Sequence, residues 1–201
     1  MSDRQYNYFV AAAVIAAKLD QATKTAQQLS LTASNARAVA LRAGERAAGF
    51  RPLTDFIDRL ADVTVKSSKQ INSLAALLSK TAADKFRADA AIDKFDVVYV
   101  RANQSSNISS LDKSYQRTKA HQNELALAFE TQIKKLVDEL DELNGELRTA
   151  VILATLSRVE ASQAGSLYQE SLNNVANNVE SAAQRIKTQI ISSQQLVSSL
   201  I

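Results

Sequence analysis

Few residues in this chain are equipped for chemistry. The segment VDELDEL, 137–143, sets Asp138, Glu139, Asp141 and Glu142 within five positions, and carboxylates at that density hold a divalent cation when the backbone curls around it. On a helix the same four side chains flank Leu140 and Leu143 and spread apart, so the run reads as the solvated face of a coiled coil. The one histidine, His121, follows Lys119 closely and reads as an exposed helix residue; there is no cysteine and no glycine-rich phosphate loop. Neither a thiolate metal site nor a histidine cluster can be assembled from this inventory. No catalytic, cofactor-binding or metal-binding residue is assigned, and a non-enzymatic protein is expected.

The rest of the sequence is a scaffold of long helices. Of 201 residues 46% are hydrophobic but only 5% aromatic, so alanine carries much of the apolar content and builds thin helix contacts. Four glycines and one proline leave little material for turns, so the elements between turns must be long. The 24 basic and 21 acidic residues are interleaved, with a net charge of +3. A nucleic-acid binder concentrates its positive charge and adds aromatics for stacking, so none is expected as a partner. The apolar runs Phe9–Leu19 and 149–156 fall short of the ~20 residues that span a bilayer. A soluble, cytoplasmic protein without membrane contact is the expectation.

Apolar spacing organises the helices. Tyr8, Ala12, Ile15, Leu19, Ala22, Ala26, Leu29, Ala33, Ala36 and Ala40 alternate in steps of four and three, the a/d seam of a coiled coil. A second seam through Phe129, Ile133, Leu136, Leu140, Leu143, Leu147, Ala150, Ala154, Ser157 and Ala161 repeats the first at an offset of 121 residues. At the same offset ASNARAVALRAGE, 33–45, aligns with ATLSRVEASQAGS, 154–166. Beyond a glycine in each half the pattern resumes at an offset of 119, through Leu53, Phe56, Leu60, Val63, Ser67, Gln70, Leu74 and Leu77, and through Leu172, Val175, Val179, Ala182, Ile186, Gln189, Ser193 and Leu196. This internal repeat predicts helices over about 4–43, 52–102, 110–164 and 167–201. The middle boundary is the Ser/Asn-rich ANQSSNISSLD, where Ser109 or Ser110 is placed to N-cap the third helix. The expected fold is all-α: an elongated antiparallel four-helix coiled-coil bundle made of two duplicated helical hairpins in one chain. The first hairpin covers 1–102 with its tip near 44–51, a turn follows at 103–110, and the second hairpin covers 111–201 with its tip near 165–166. Gly145, in DELNGELR, sits between Leu143 and Leu147 in unbroken phase and is expected inside a continuing helix.

Gly44, Gly49 and Pro52 crowd into nine residues. Around them NARAVALRAGERAAGFRPLTDFIDRLADVT, 35–64, resembles the hairpin tip of methyl-accepting chemotaxis proteins, whose pattern runs roughly L-N-A-A-x-E-A-A-R-A-G-E-x-G-x-G-F-A-V-V-A-D-E-V-R-x-L-A. Asn35, Ala36, Arg42, Ala43, Gly44, Glu45, Gly49, Phe50, Asp55, Leu60 and Ala61 match without a gap, and Ile57 is a conservative replacement. Val39, Ser34 and Pro52 depart from the pattern. The second tip, EASQAGSLYQES, keeps Glu160 at the position of the family's acid but lacks the arginine, glutamate and phenylalanine.

The resemblance implies a hairpin whose tip gathers receptors and docks a histidine kinase with its coupling protein. Carried over, Asn35, Arg42 and Glu45 become the partner-binding tip residues, and Gly44, Gly49, Phe50, Pro52 and Gly165 the structural ones. Gly44 would permit the reversal, Glu45 would face the start of the return helix, Phe50 would close the bundle end, and Pro52 would open that helix. A single chain holding both hairpins would imitate the receptor dimer, as a monomeric pseudo-dimer or as part of a higher oligomer. The resulting expectation is a chemoreceptor-like signalling or adaptor module whose partners are a chemotaxis histidine kinase and coupling protein, or chemoreceptors. The family's paired Glu/Gln adaptation sites are not found. The competing expectation is a structural or self-assembling coiled-coil protein of toxin, R-body-like or surface-coating type, which requires a continuous exposed apolar face.

Overall fold

The computed structural model describes residues 3–102 and 107–199, with side chains from residue 10 onward. Tyr8 and the 103–106 part of the expected turn therefore lie outside the described residues. The described residues form four long α-helices and no strand: α1 (Asp3–Ala43), α2 (Phe50–Arg101), α3 (Asp112–Gln163) and α4 (Ser166–Ser198). Short 3-10 turns, Gly44–Ala47 and Ile108–Leu111, precede α2 and α3. Consecutive helices pack on one another and α1 also packs on α4, which closes a four-sided antiparallel bundle. At ~1.5 Å per residue the 52-residue α2 and α3 each run roughly 78 Å. No described helix is long and apolar enough to cross a membrane.

The seams of α1 and α3 sit in the core as spaced. Ile15, Leu19, Ala22, Ala26, Leu29, Ala33, Ala36 and Ala40 are all buried, and so are their counterparts 121 residues later, from Leu136 to Ala161. At the N-terminal end Ala11 is buried while Ala12 packs only partly. Three of the paired positions are complementary in size. Ala22 and Ala26 correspond to Leu143 and Leu147, Leu29 corresponds to Ala150, and the last three pairs before the corners are small on both sides. A core filled by alternating large and small side chains reaches crystal-like density without strained rotamers.

The second helix is corrected by one residue. Its buried line runs Leu53, Ile57, Leu60, Thr64, Ser68, Ile71, Ala75, Leu78 and Ala82, whereas Phe56, Gln70 and Leu77 are exposed and Val63, Ser67 and Leu74 half-buried. The two consecutive steps of four at Leu60–Thr64–Ser68 form a stutter, which shifts the inward face of a helix relative to a strict heptad. In α4 the line is as expected to Ile186 and then slips likewise, with Ile190 and Val197 buried in place of Gln189 and Leu196.

The corners differ from expectation in detail. α2 begins at Phe50, so Pro52 occupies the third helical position, still within the first turn where a missing N–H breaks no intrahelical bond. α3 begins at Asp112 without a side-chain cap, so neither Ser109 nor Ser110 plays that part. Gly145 lies inside α3, and a methyl group added there would meet open space.

Away from the corners, α2 and α3 outrun α1 and α4, and burial stops at Ile92 in α2 and resumes only at Ile133 in α3. Polar and aromatic contacts hold this two-helix extension. Tyr115 meets Phe95 and Tyr99 edge-on, at centroid distances of 5.8 and 5.4 Å. The Tyr99 hydroxyl donates to Asp112 Oδ1 at 2.7 Å, and Gln122 Nε2 donates to Asp89 Oδ1 at 2.6 Å. The Asp112 carboxylate, hydrogen-bonded to the neutral phenol, pushes the Tyr99 pKa up to about 12. Burial raises the Asp89 carboxyl, but hydrogen bonds from Lys85 and Gln122 and the charges of Lys85 and Lys119 together hold it below its ordinary value.

The register carries its own test: Ile57→Ala should cost ~2–5 kcal/mol, as for other buried aliphatic truncations, while Phe56→Ala should stay below about 1 kcal/mol, both measured by urea denaturation followed by circular dichroism. Equal losses would restore the uninterrupted heptad. The tyrosine pair gives a second. A raised folded pKa means that the Tyr99–Asp112 contribution is complete below pH ~10, the unfolded value, and is lost as pH climbs toward 12. Tyr115, raised by the Asp96 charge, also ionises late, so ultraviolet titration of Asp112→Asn against the wild type should show the Tyr99 phenol alone returning toward its ordinary value.

Candidate functional site at the closed end

Both corners lie at one end of the bundle and touch. The Tyr168 hydroxyl, on the first turn of α4, donates to the Arg42 carbonyl at 3.4 Å. Ala164 and Gly165 form the second corner, and Gly165, with φ +83° and ψ 156°, lies in a region that only glycine enters without strain. A methyl group at Gly165 would stand 3.6 Å from Arg46 Nη1, so the first corner reaches across to the second. Gly44, with φ +65°, ends α1 in the same way.

Ala33, Ala36 and Ala40 and their counterparts Ala154, Ser157 and Ala161 are all buried, and small side chains at these layers let the helices approach closely where they must turn. Phe50 fills the end as a fully buried ring, together with Ala47, Ala164 and Leu172. Its counterpart at the 119 offset is the exposed Gln169, so a single aromatic closes a bundle of two hairpins. Ser157 is fully buried with its hydroxyl unpartnered in the protein.

Glu160 brings a carboxylate to the start of α2. The Gly49 Cα is covered by it so closely that an added methyl would lie 2.1 Å from Glu160 Oε2. Negative charge beside a helix N-terminus is favourable, and a side chain at residue 49 would push the end of Glu160 aside. Glu45 lies in the first turn of the Gly44–Ala47 segment, exposed. Arg42 and Asn35 are exposed on the outer side of α1, seven residues and therefore two turns apart on one face. The three candidate contact residues thus stand at the surface near the closed end, and the five structural candidates form the corners beneath them.

Arg37 and Arg158 are functional-looking residues that the tip pattern does not single out. Arg37 Nη2 donates to Asp55 Oδ1 at 2.5 Å and its Nε to Thr54 Oγ1 at 3.3 Å, tying α1 to α2. Arg158, 121 residues later, donates to Asn177 Oδ1 at 3.1 Å and to the Glu180 carboxylate, tying α3 to α4. The aligned arginine in NARAV and LSRVE was the available signal. The acidic run of α3 disperses. Glu139 accepts from Gln70 on α2, and Asp141 accepts from Gln194 on α4 at 2.6 Å. Among the described residues no group of three or more acidic or histidine side chains is placed to hold a metal ion.

Apolar side chains cover a stretch of the outer surface of α3. Val151, Ile152, Leu156 and Val159 are 53, 61, 47 and 50% exposed, and Leu167 stands out from the second corner. Phe56 extends the surface sideways, across a groove of about 210 Å³ shared with Arg59, Leu60, Glu146, Thr149 and Leu153.

The two kinds of glycine separate in a stability series. Gly165→Ala forces an L side chain into a glycine-only region and should cost ~1–3 kcal/mol, whereas Gly145→Ala, in an open helix interior, should stabilise by ~0.5–1 kcal/mol. Thermal melts of the two variants read both signs. Comparison with known proteins assigns no family: no family model, no curated protein and no solved structure matches the chain.

Proposed function

We propose that this protein is a non-enzymatic interaction module that works through the closed end of its bundle, as the chemoreceptor-like tip sequence implies. The observation that carries the reading is the placement of Asn35 and Arg42 on one exposed face of α1 beside the glycine-bounded corner. A rigid, aromatic-plugged end lowers the ordering cost of binding, and an exposed arginine is a side chain suited to anchoring a partner. On this reading the partners are a chemotaxis histidine kinase and its coupling protein, or receptors of the same arrays, met in the cytoplasm as a signalling adaptor. The single chain supplies both hairpins of the bundle, in place of two receptor subunits.

A second reading, a self-assembling coiled-coil protein without kinase control, is favoured by the exposed apolar stretch of α3. Pull-down of a purified kinase and coupling protein distinguishes the two. Under the signalling reading the wild type binds at micromolar concentration, and Arg42→Ala or Glu45→Ala weakens binding about tenfold or more, a loss of ~1.4 kcal/mol. Absence of wild-type binding at that concentration rejects the adaptor role.

A further inference from the structure

We infer that the bundle carries a hydrated joint at the level of Ser68 and Ser193, where internal water stands in for apolar packing and the closed end tilts against the rest of the rod. Two contacts fix the level. Gln70 of α2 donates to Glu139 of α3, and Asp141 of α3 accepts from Gln194 of α4, so Ser68, Leu143 and Ser193 share one layer of the antiparallel bundle. Counting along α1 and α2 from the Ser30–Asp58 hydrogen bond brings Ala22 to the same turn. All four side chains are fully buried and only Leu143 is large. Leu19, Ile71 and Leu140 on one side, and Leu29, Leu60 and Ile186 beyond Thr64 on the other, are buried and large. They hold the helices at the spacing of large side chains, so the serine layer does not close over its missing volume.

Polarity selects the occupant of that space. Ser68 Oγ, on the inward line of α2, has no partner in the protein; Asn72 Oδ1, one turn along α2, and Asn144 Oδ1, beside Leu143, are buried without one as well. A buried polar group left unpaired costs free energy, which a water molecule with roughly two to four polar partners recovers. Ser193 donates to the Gln189 carbonyl at 2.9 Å, and its oxygen keeps lone pairs for such a water. Helix geometry marks the same level. The stutter of α2 runs through Leu60, Thr64 and Ser68, and α4 has its own at Ala182, Ile186 and Ile190, whereas the seams of α1 and α3 pass through unbroken. Thr64 donates back to the Leu60 carbonyl at 2.8 Å, as Ser193 does to Gln189, a bond that bends helices. Val197 is the last buried residue of α4, so the joint lies where the four-helix section gives way to α1, α2 and α3 alone. It requires nothing of the Asn35–Arg42 face and stands apart from the adaptor reading.

Oxygen-17 magnetic relaxation dispersion of the full chain should report long-lived internal water. Hydrogen–deuterium exchange should be about tenfold faster or more for amides 64–72 than for 53–60 and 75–82 of the same helix, a pattern that fraying from an end does not give. Ser68→Val with Ser193→Val adds volume and removes both hydroxyls; it should lower the dispersion and slow the exchange of 64–72 to that of its flanks. If that pair overfills the layer and fails to fold, Ser68→Ala, which adds no volume, should still lower the dispersion. A wild-type dispersion no larger than that of Ser68→Ala, or uniform protection along α2, overturns the inference.

Discussion

Everything in this bundle depends on how closely four helices can approach when nearly half of their buried apolar residues are alanine. Dispersion and apolar burial fall off within a fraction of an ångström of lost contact, so an alanine seam stabilises only if each facing position supplies the missing volume. The chain meets that constraint by exchanging sizes between its two halves at Ala22, Ala26 and Leu29 against Leu143, Leu147 and Ala150, while nearer the corners both are small and Phe50 fills the remaining space. The glycine corners follow from the same requirement. Helices brought so near leave room for only a short reversal, and Ala164 and Gly165 make it as the two residues between α3 and α4.

The polar contacts of the closed end belong to this close approach. Arg37 and Arg158 reach across their own hairpins because the small layers of Ala36, Ser157 and Ala40 draw the neighbouring helices within reach. These exposed or half-exposed pairs contribute modestly to stability, yet they fix the register of each hairpin and so the position of the corner. The Glu160 carboxylate over Gly49 joins the two hairpins to each other. At the other end, where the outer helices stop, the same two middle helices use tyrosine, aspartate and glutamine in place of an apolar seam. Two helices alone cannot bury an interior.

The all-α bundle, the buried faces of α1 and α3 and both glycine corners were legible in the sequence, because a strict heptad states its inward face at every turn. The face of α2 was not. Phe56 and Leu77 continue a heptad on paper, whereas the buried line passes through Ile57, one position on, and after the stutter at Leu60, Thr64 and Ser68 through Leu78. Apolar identity alone does not distinguish a core position from an outer one when two aliphatic residues lie side by side. The contact of Gly49 with Glu160 joins residues from different hairpins, and no local pattern encodes it. Arg37 was readable only by comparing the halves. The α3 stripe was present as letters, but Val151, Ile152 and Val159 could be recognised as outward only after the seam through Ala150, Ala154 and Ser157 had been seen to occupy the core.

Placing both hairpins in one chain also changes what the bundle can present. Two identical hairpins related by symmetry offer the same surface twice, whereas unlike halves offer two different ones. Here α1 and α3 occupy diagonal corners, since each packs mainly on α2 and α4, and their outer faces point away from each other. One is polar, with Asn35 and Arg42; the other is apolar from Val151 to Val159. A partner held on the first does not compete sterically with a helix held on the second. Divergence confined to outer positions leaves the shared core untouched, so the two faces are free to acquire separate partners at little cost in stability.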